Sequence, residues 1–195
     1  MVEKQNEHVV IEHFDSVDHA LLEPMIGAFQ DSGISVRVQD WPGPQGCCGL
    51  LAQLPTAVEV IVKVLEAGGT AVAGVIAKDA YSALKRGFPR LWKNLHHTSE
   101  PGYSNRFSMK LSAICEFRDG RRLKLLLSPR SQPKDAEKAV AQFFKVAKMK
   151  LGARHSRSQF KALRGQTALD KTEIWVFNPV SKKLEPVGPD DPDFE

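Results

Sequence analysis

The chain has 195 residues, of which 42% are apolar and 26% charged, so it is long enough to bury a core as one globular domain. Three cysteines, two of them adjacent, do not make the spaced framework of a small secreted fold, and the first ten residues lack a signal-peptide pattern. We therefore expect a reducing, cytoplasmic location. The apolar stretch 56–77 has only eleven consecutive uncharged residues, whereas a membrane-spanning helix needs about 20.

Residues 8–38 carry the pattern of a β-α-β unit. The segment 8–14 (HVVIEHF) is predicted to be a strand. A helical stripe follows, in which apolar side chains are spaced by three and four: Leu21, Leu22, Met25, Ile26 and Phe29. Gly33 is expected to end this helix, and the alternating segment 34–38 (ISVRV) predicts a second strand.

A helical middle is predicted next. Thr56 followed by Glu59 has the spacing of a capping box, which indicates a helix that begins at Thr56 and ends at the glycine pair 68–69. A second helix is expected after that pair. Gly87 and Pro89 predict a break in it before residues 90–95.

The segment 106–127 gives the clearest strand signal. Apolar side chains alternate along its first half, at Phe107, Met109, Leu111, Ala113, Cys115 and Phe117. Asp119-Gly120 supplies a turn, and the alternation resumes at Leu123, Leu125 and Leu127. These features predict a long β-hairpin.

Two further elements complete the chain. An apolar stripe predicts an amphipathic helix that begins near Ser131 or Pro133 and weakens at Gly152: Ala136, Ala139, Val140, Phe143, Phe144, Ala147 and Leu151. Residues 172–187 are expected to form a second hairpin that turns at Asn178-Pro179.

These elements predict an α+β fold, with a small mixed or antiparallel sheet and helices packed on one of its faces. We assign residues 1–151 to a core domain, 152–170 to a basic connector or helix and 171–187 to a C-terminal β-hairpin. The acidic, proline-rich tail 188–195 is expected to be disordered.

The stretch 42–51 (PGPQGCCGLL) is the one place that invites a search for an active site. Its glycines are spaced by three, which does not match the G-x-G-x-x-G turn of dinucleotide-binding proteins, and the Gly-Lys-Ser/Thr of a phosphate-binding loop is missing. Cys47 and Cys48 are neighbours rather than a C-x-x-C pair, and no ligand spacing matches a structural zinc site. No cofactor or metal is therefore predicted. Cys47 lies at helical spacing with Leu50, Leu51 and Leu54, which favours a structural role; the alternative is a thiolate activated at a helix N-terminus.

Cys115 and Arg121 have the cysteine-to-arginine interval found in protein phosphatases, whose loop wraps a phosphate between a strand and a helix. Here the interval crosses the Asp119-Gly120 hairpin turn instead of joining a strand to a helix, so we expect the match to be fortuitous. No Ser-His-Asp set can be assembled from local sequence either.

Charge is distributed unevenly along the chain, since residues 101–170 contain 16 basic and 5 acidic side chains. Within this region, seven cations follow one another without an intervening acid: Lys145, Lys148, Lys150, Arg154, Arg157, Lys161 and Arg164. We predict a non-enzymatic binding or regulatory module that uses these residues to bind an anionic partner, nucleic acid first and an acidic protein surface or anionic lipid next. A solvated helix face with a flexible connector explains the same run without a partner. The functional alternative is a small thiol-dependent enzyme that uses Cys47 or Cys48.

Overall fold

The structure is a computed structural model that describes residues 9–41, 56–64, 72–96, 107–117, 120–152 and 172–187. Its first part contains β1 (Val9–Phe14), a single 3₁₀ turn (His19–Leu21), α1 (Glu23–Gln30) and β2 (Val36–Trp41). Its middle contains β3 (Val58–Val64), α2 (Val72–His96), β4 (Leu111–Phe117) and β5 (Arg122–Leu127). The remainder is α3 (Pro133–Gly152), β6 (Thr172–Asn178) and β7 (Lys183–Val187).

The described strands form one mixed seven-stranded sheet in the order β2-β1-β3-β4-β5-β6-β7. The pairs β1/β2, β3/β4 and β5/β6 are parallel, and a helix connects the two strands of each pair. All three helices pack on the same face, where their apolar side chains share one core with inward residues of the sheet. The predicted α+β fold with helices on one face is confirmed. No described helix is long and apolar enough to cross a bilayer.

One predicted helix is wrong, because residues 58–64 form strand β3 instead. Val58, Val60 and Val62 alternate toward the helix-covered core, and β-branched side chains favour the extended backbone. Thr56 and Glu59 form one of the two hydrogen bonds of a capping box, since the Thr56 amide donates to Glu59 Oε1 at 3.2 Å, whereas the Thr56 hydroxyl donates to the Val58 oxygen at 2.8 Å. They do so at the start of a strand.

The predicted break in α2 is also wrong, because the helix continues through Pro89 to His96. Leu91, Trp92 and Leu95 follow the proline and are buried in the core. The Trp92 indole also donates to the backbone oxygen of Ser131 at 2.9 Å. This burial offsets the hydrogen bond that proline removes from the helix.

Gly87 marks a close approach between α1 and α2, which leads to a first prediction. A Cβ atom there would lie 3.1 Å from both the Met25 Cα and the Ala28 Cβ, neither of which can rotate away. Gly87→Ala is therefore expected to lower the free energy of unfolding by about 1–2 kcal/mol, since overpacking outweighs the gain in helix propensity. Gly27→Ala is the matched control in α1, because a Cβ there would have no neighbour within 4 Å.

Urea unfolding followed by circular dichroism measures both variants. We expect Gly27→Ala to raise the free energy of unfolding by roughly 0.5–1 kcal/mol, because alanine has the higher helix propensity and its Cβ would meet no neighbour. Stabilisation of similar size in both variants would show that the two helices pack less tightly at Gly87 than these distances imply.

Candidate polyanion-binding surface

Helices α2 and α3 lie side by side on the sheet and run antiparallel. Three contacts define their alignment: the Tyr81 and Phe144 ring centroids are 5.1 Å apart, Lys85 Nζ is 3.4 Å from Glu137 Oε1, and Trp92 bonds to Ser131. Residue numbers rise along α2 as they fall along α3. The two helices therefore present a continuous outer surface.

That outer surface is strongly basic. Eight exposed cations, here called the basic face, project from the two helices: Lys78, Arg86, Arg90 and Lys93 of α2, and Lys134, Lys138, Lys145 and Lys148 of α3. Among the described residues of these helices, Glu137 is the one exposed acid, and Lys85 pairs with it. None of the eight cations forms an ion pair with an acid of the described segments, so their charge is available to a partner.

Asp135, in the first turn of α3, attracts Lys138 of the basic face but forms its ion pair with Lys182. It is buried, and it accepts hydrogen bonds from Lys182 Nζ at 2.9 Å and from the Gln132 amide at 3.0 Å. Burial alone would raise its pKa, but these bonds and the attraction of Lys182 and Lys138 hold the pKa below its usual value. The Asp135 carboxylate is thus bound mainly by Lys182 and the Gln132 amide.

The structure brings together only part of the predicted basic run. Lys145 and Lys148 belong to the basic face, whereas Lys150 Nζ lies 2.9 and 3.1 Å from the two carboxylate oxygens of Glu173 and ties α3 to β6. Arg154, Arg157, Lys161 and Arg164 lie outside the described residues, as does the tail 188–195. Cys47 and Cys48 also lie outside them, so the thiol-enzyme alternative stays a prediction.

Sequence reasoning missed the cations of α2 and the first turns of α3. These cations do not form an acid-free run in the sequence, because Asp79, Asp135 and Glu137 interrupt them. Exposed positions of α2 recur at three and four residues, so an acid count restricted to the outer helix faces would have detected the surface.

Cys115 is excluded as a nucleophile. It is a free, buried thiol, and burial raises its pKa to about 12. The thiol is therefore neutral at physiological pH, and the thiolate that nucleophilic attack requires is not formed. The Arg121 guanidinium lies 5.3 Å from the Phe117 ring centroid, a cation-π contact.

A second polar group lies at the carboxyl ends of β1 and β2. The buried His13 has its Nε2 3.0 Å from Oδ1 of the exposed Asp40, without hydrogen-bond alignment, and its Nδ1 3.0 Å from the Phe14 oxygen. The His19 ring is 6.0 Å away between centroids. No three His, Cys, Asp or Glu side chains in the described segments are grouped so that they could hold a metal ion.

The sheet face opposite the helices carries a third polar group around Glu59. Lys124 forms a buried ion pair with Glu59 Oε1, and the hydroxyls of Thr56 and Ser112 are 2.8 Å apart beside it. On the neighbouring strand, Glu12 Oε1 accepts a 2.6 Å hydrogen bond from Gln39. Burial, followed by repulsion from Glu59, raises the pKa of Glu12 above its ordinary value of 4.5.

This environment predicts that Glu12→Gln stabilises the protein at neutral pH. A raised carboxyl pKa means that folding favours the neutral form, so this contribution is fully present below the unfolded pKa and lost as the pH rises through the folded pKa. Glutamine stays neutral, and its oxygen can still accept from Gln39 Nε2. Because the carboxyl is partly solvated, the gain should be below about 1 kcal/mol.

Urea unfolding of the wild type and of Glu12→Gln at neutral pH and at about pH 3.5 tests the predicted stabilisation. The gain from Glu12→Gln should vanish at the lower pH, where the wild-type carboxyl is protonated. A gain of equal size at both values would contradict the electrostatic origin.

No protein-family model, curated protein or solved structure gives a significant match to this chain.

Proposed function

We propose that this protein is a non-enzymatic binding or regulatory module whose basic face holds an anionic polymer, with nucleic acid as the first candidate. The observation that carries the proposal is the surplus of exposed cations among the described residues of α2 and α3, where eight cations stand against one exposed acid, Glu137. Each phosphate that such cations neutralise releases a condensed counterion, which drives association at moderate salt.

Nucleic acid is favoured over anionic lipid because the basic face has little to insert into a bilayer. Membrane-surface helices combine cations with a large apolar face. Among the described residues, the exposed large apolar side chains are Met149 and Val180, and only Met149 belongs to α2 or α3. One methionine is a weak anchor.

An acidic protein surface is the next candidate. The scarcity of large exposed apolar side chains among the described residues argues against it as well. Protein interfaces draw most of their affinity from a few large aromatic or arginine anchors in buried pockets. The described aromatic rings of α2 and α3 are buried or half-buried, including the packed pair Tyr81 and Phe144. A partner that presents phosphates needs no such anchor.

The proposal includes a reducing, cytoplasmic location, which fits the free thiol of Cys115. Affinity for a phosphate backbone contacted without base readout should be micromolar or weaker at physiological salt.

Fluorescence anisotropy with a labelled duplex of about 20 base pairs, at salt from about 50 to 200 mM, tests the proposal. Wild-type affinity should fall steeply with salt. Lys145→Gln combined with Lys148→Gln should reduce the slope of log affinity against log salt by about 2, since each lost phosphate contact removes about 1. Thermal stability should change little, because both side chains are exposed.

The matched control changes the net charge equally on the other side of the sheet. Arg37→Gln combined with Lys183→Gln serves, because both residues alternate with core-facing neighbours and so point away from the helices. This control should leave the slope nearly unchanged. An equal reduction would show that net charge rather than the basic face attracts the polymer, and a wild-type protein without salt-sensitive binding would refute the proposed function.

A further inference from the structure

The cations of the basic face are divided between two parallel lanes, one on each helix. The α2 lane contains Lys78, Arg86, Arg90 and Lys93, and the α3 lane contains Lys134, Lys138, Lys145 and Lys148. The Tyr81–Phe144 and Lys85–Glu137 contacts set the alignment of the helices. By this alignment Lys78 lies level with Lys145, and Arg90 lies level with Lys134.

The lanes have dimensions that suit two phosphate backbones. Packed helices have axes about 8–10 Å apart. Lys78 to Lys93 and Lys134 to Lys148 extend about 22 and about 21 Å along their helix axes. The grooves of duplex DNA, which separate its two backbones, are roughly 6 and 12 Å wide, so flexible lysines in two lanes can reach both strands at once.

A single strand offers a poorer match. It has one line of phosphates, and proteins that bind single strands without sequence preference add aromatic rings on which bases stack. In the described parts of α2 and α3, Phe88, Trp92 and Phe143 are buried, and Tyr81 and Phe144 pack on each other. None of these rings offers an open stacking platform.

The side chains of the basic face also suit phosphates better than base edges. Six of the eight cations are lysines, which act as point charges rather than bidentate readers. Arg86 already donates to Ala28 O at 3.2 Å and to Ser32 Oγ at 2.8 Å. Gln142, an amide of the kind that reads adenine, bonds instead to the backbone of Lys182 and Leu184.

We propose that the partner is double-stranded nucleic acid, held without sequence preference by one lane of cations on each of its two backbones. This inference rests on the proposed function, because it specifies which nucleic acid the same surface binds. Binding is then shared between the lanes, and each lane contributes its own set of released counterions.

Two triple variants separate the lanes. The α2-lane variant combines Lys78→Gln, Arg90→Gln and Lys93→Gln, and the α3-lane variant combines Lys134→Gln, Lys145→Gln and Lys148→Gln. With a duplex, each should reduce the salt slope by about 3, and their effects should add. With a single strand of equal length, wild-type affinity should be at least about tenfold weaker at equal salt, and the slope smaller.

The sequence requirement is tested with duplexes of mixed and of alternating sequence, whose affinities should agree within about threefold. A single strand that binds as tightly and with as steep a slope as the duplex would overturn the inference, as would a lane variant that leaves duplex binding intact. In both of these outcomes the protein still binds nucleic acid in a salt-sensitive way, so the proposed function stands. If neither the duplex nor the single strand showed salt-sensitive binding, the proposed function itself would be refuted.

Discussion

Lys124→Met is expected to lower the free energy of unfolding by about 3–5 kcal/mol, because it leaves the Glu59 carboxylate buried without its cation. The backbone amide of Thr56 still donates to that carboxylate, but at 3.2 Å. Glu12, on the adjacent strand, adds a second negative charge nearby. The loss corresponds to a fall in melting temperature of roughly 10 °C for a chain of this length.

Glu59→Gln in the Lys124→Met background should recover most of this loss. The strand register places Lys124 directly between Ile114 and Ile174, so a methionine there meets apolar neighbours. A glutamine at position 59 keeps an oxygen that can accept from the Thr56 amide, and it removes the buried charge. Replacement of both partners of a buried ion pair by uncharged residues often changes the free energy of unfolding little.

Equilibrium unfolding in urea, followed by circular dichroism, gives the four free energies of a double-mutant cycle: those of the wild type, Lys124→Met, Glu59→Gln and the double variant. The double variant should be at least about 2 kcal/mol more stable than Lys124→Met alone. A loss below about 1 kcal/mol in the single variant would show that solvent reaches the pair, since exposed ion pairs contribute no more than that.

The hairpin that contains Lys124 was the best predicted part of the fold, because two independent local signals agree. From Leu111 to Leu127 the alternation correctly predicted which side chains face the helices, and Asp119-Gly120 marked the turn in the sequence. The described register pairs Cys115 with Leu123, and Gly120 has a φ of 81°, which glycine adopts readily. The alternation fails before Leu111, where β4 begins, since Phe107 and Met109 pack with Leu126 on the opposite side of the sheet.

Strand β3 was missed for a physical reason that single-sequence analysis does not resolve. The Thr56–Glu59 hydrogen bond forms in either secondary structure, so the pair does not distinguish a helix from a strand at residues 58–64. Both faces of β3 are apolar in part, with Val60 toward the helices and Ile61 in a separate cluster on the other side. A strand buried on both faces loses the alternation that would identify it.

The order of strands could not be predicted from local patterns at all. Strands β1 and β5 run in the same direction, yet their helical crossovers to β2 and β6 step toward opposite edges of the sheet with both helices on one face. The two crossovers therefore have opposite hands. Topological rules favour right-handed crossovers strongly, so they would have rejected this arrangement.

The basic face, like the strand order, could not be predicted from local sequence patterns. Its two lanes are separated by more than thirty residues in sequence and are joined only by the packing of α2 on α3. Lys145 and Lys148 were found because they begin an acid-free run, whereas Arg90 and Lys134 gain significance only when their helices are adjacent. Charge patterns in sequence report one helix at a time, but a polymer binds the surface that several helices share.

Leu111→Asp is expected to abolish folding. Leu111 is fully buried at the start of β4, the central strand of the sheet, and packs in the main core. Truncation of such a leucine already costs about 2–5 kcal/mol, and burial of an unpaired carboxylate adds several more, against a total stability of about 5–15 kcal/mol. The variant should lack the cooperative unfolding transition and the dispersed amide resonances of the wild type.

Two control variants separate the causes of this loss. Lys110→Asp introduces the same charge one residue earlier at a half-exposed position, and it should remain folded. Leu111→Asn has nearly the shape of aspartate without its charge, so it should be destabilised but retain more structure than Leu111→Asp, because only the carboxylate must be stripped of water as an ion. If Leu111→Asp and Lys110→Asp were equally tolerated, the register that directs Leu111 toward α2 and α3 would be wrong, and the alignment of the basic face above it would have to be rebuilt.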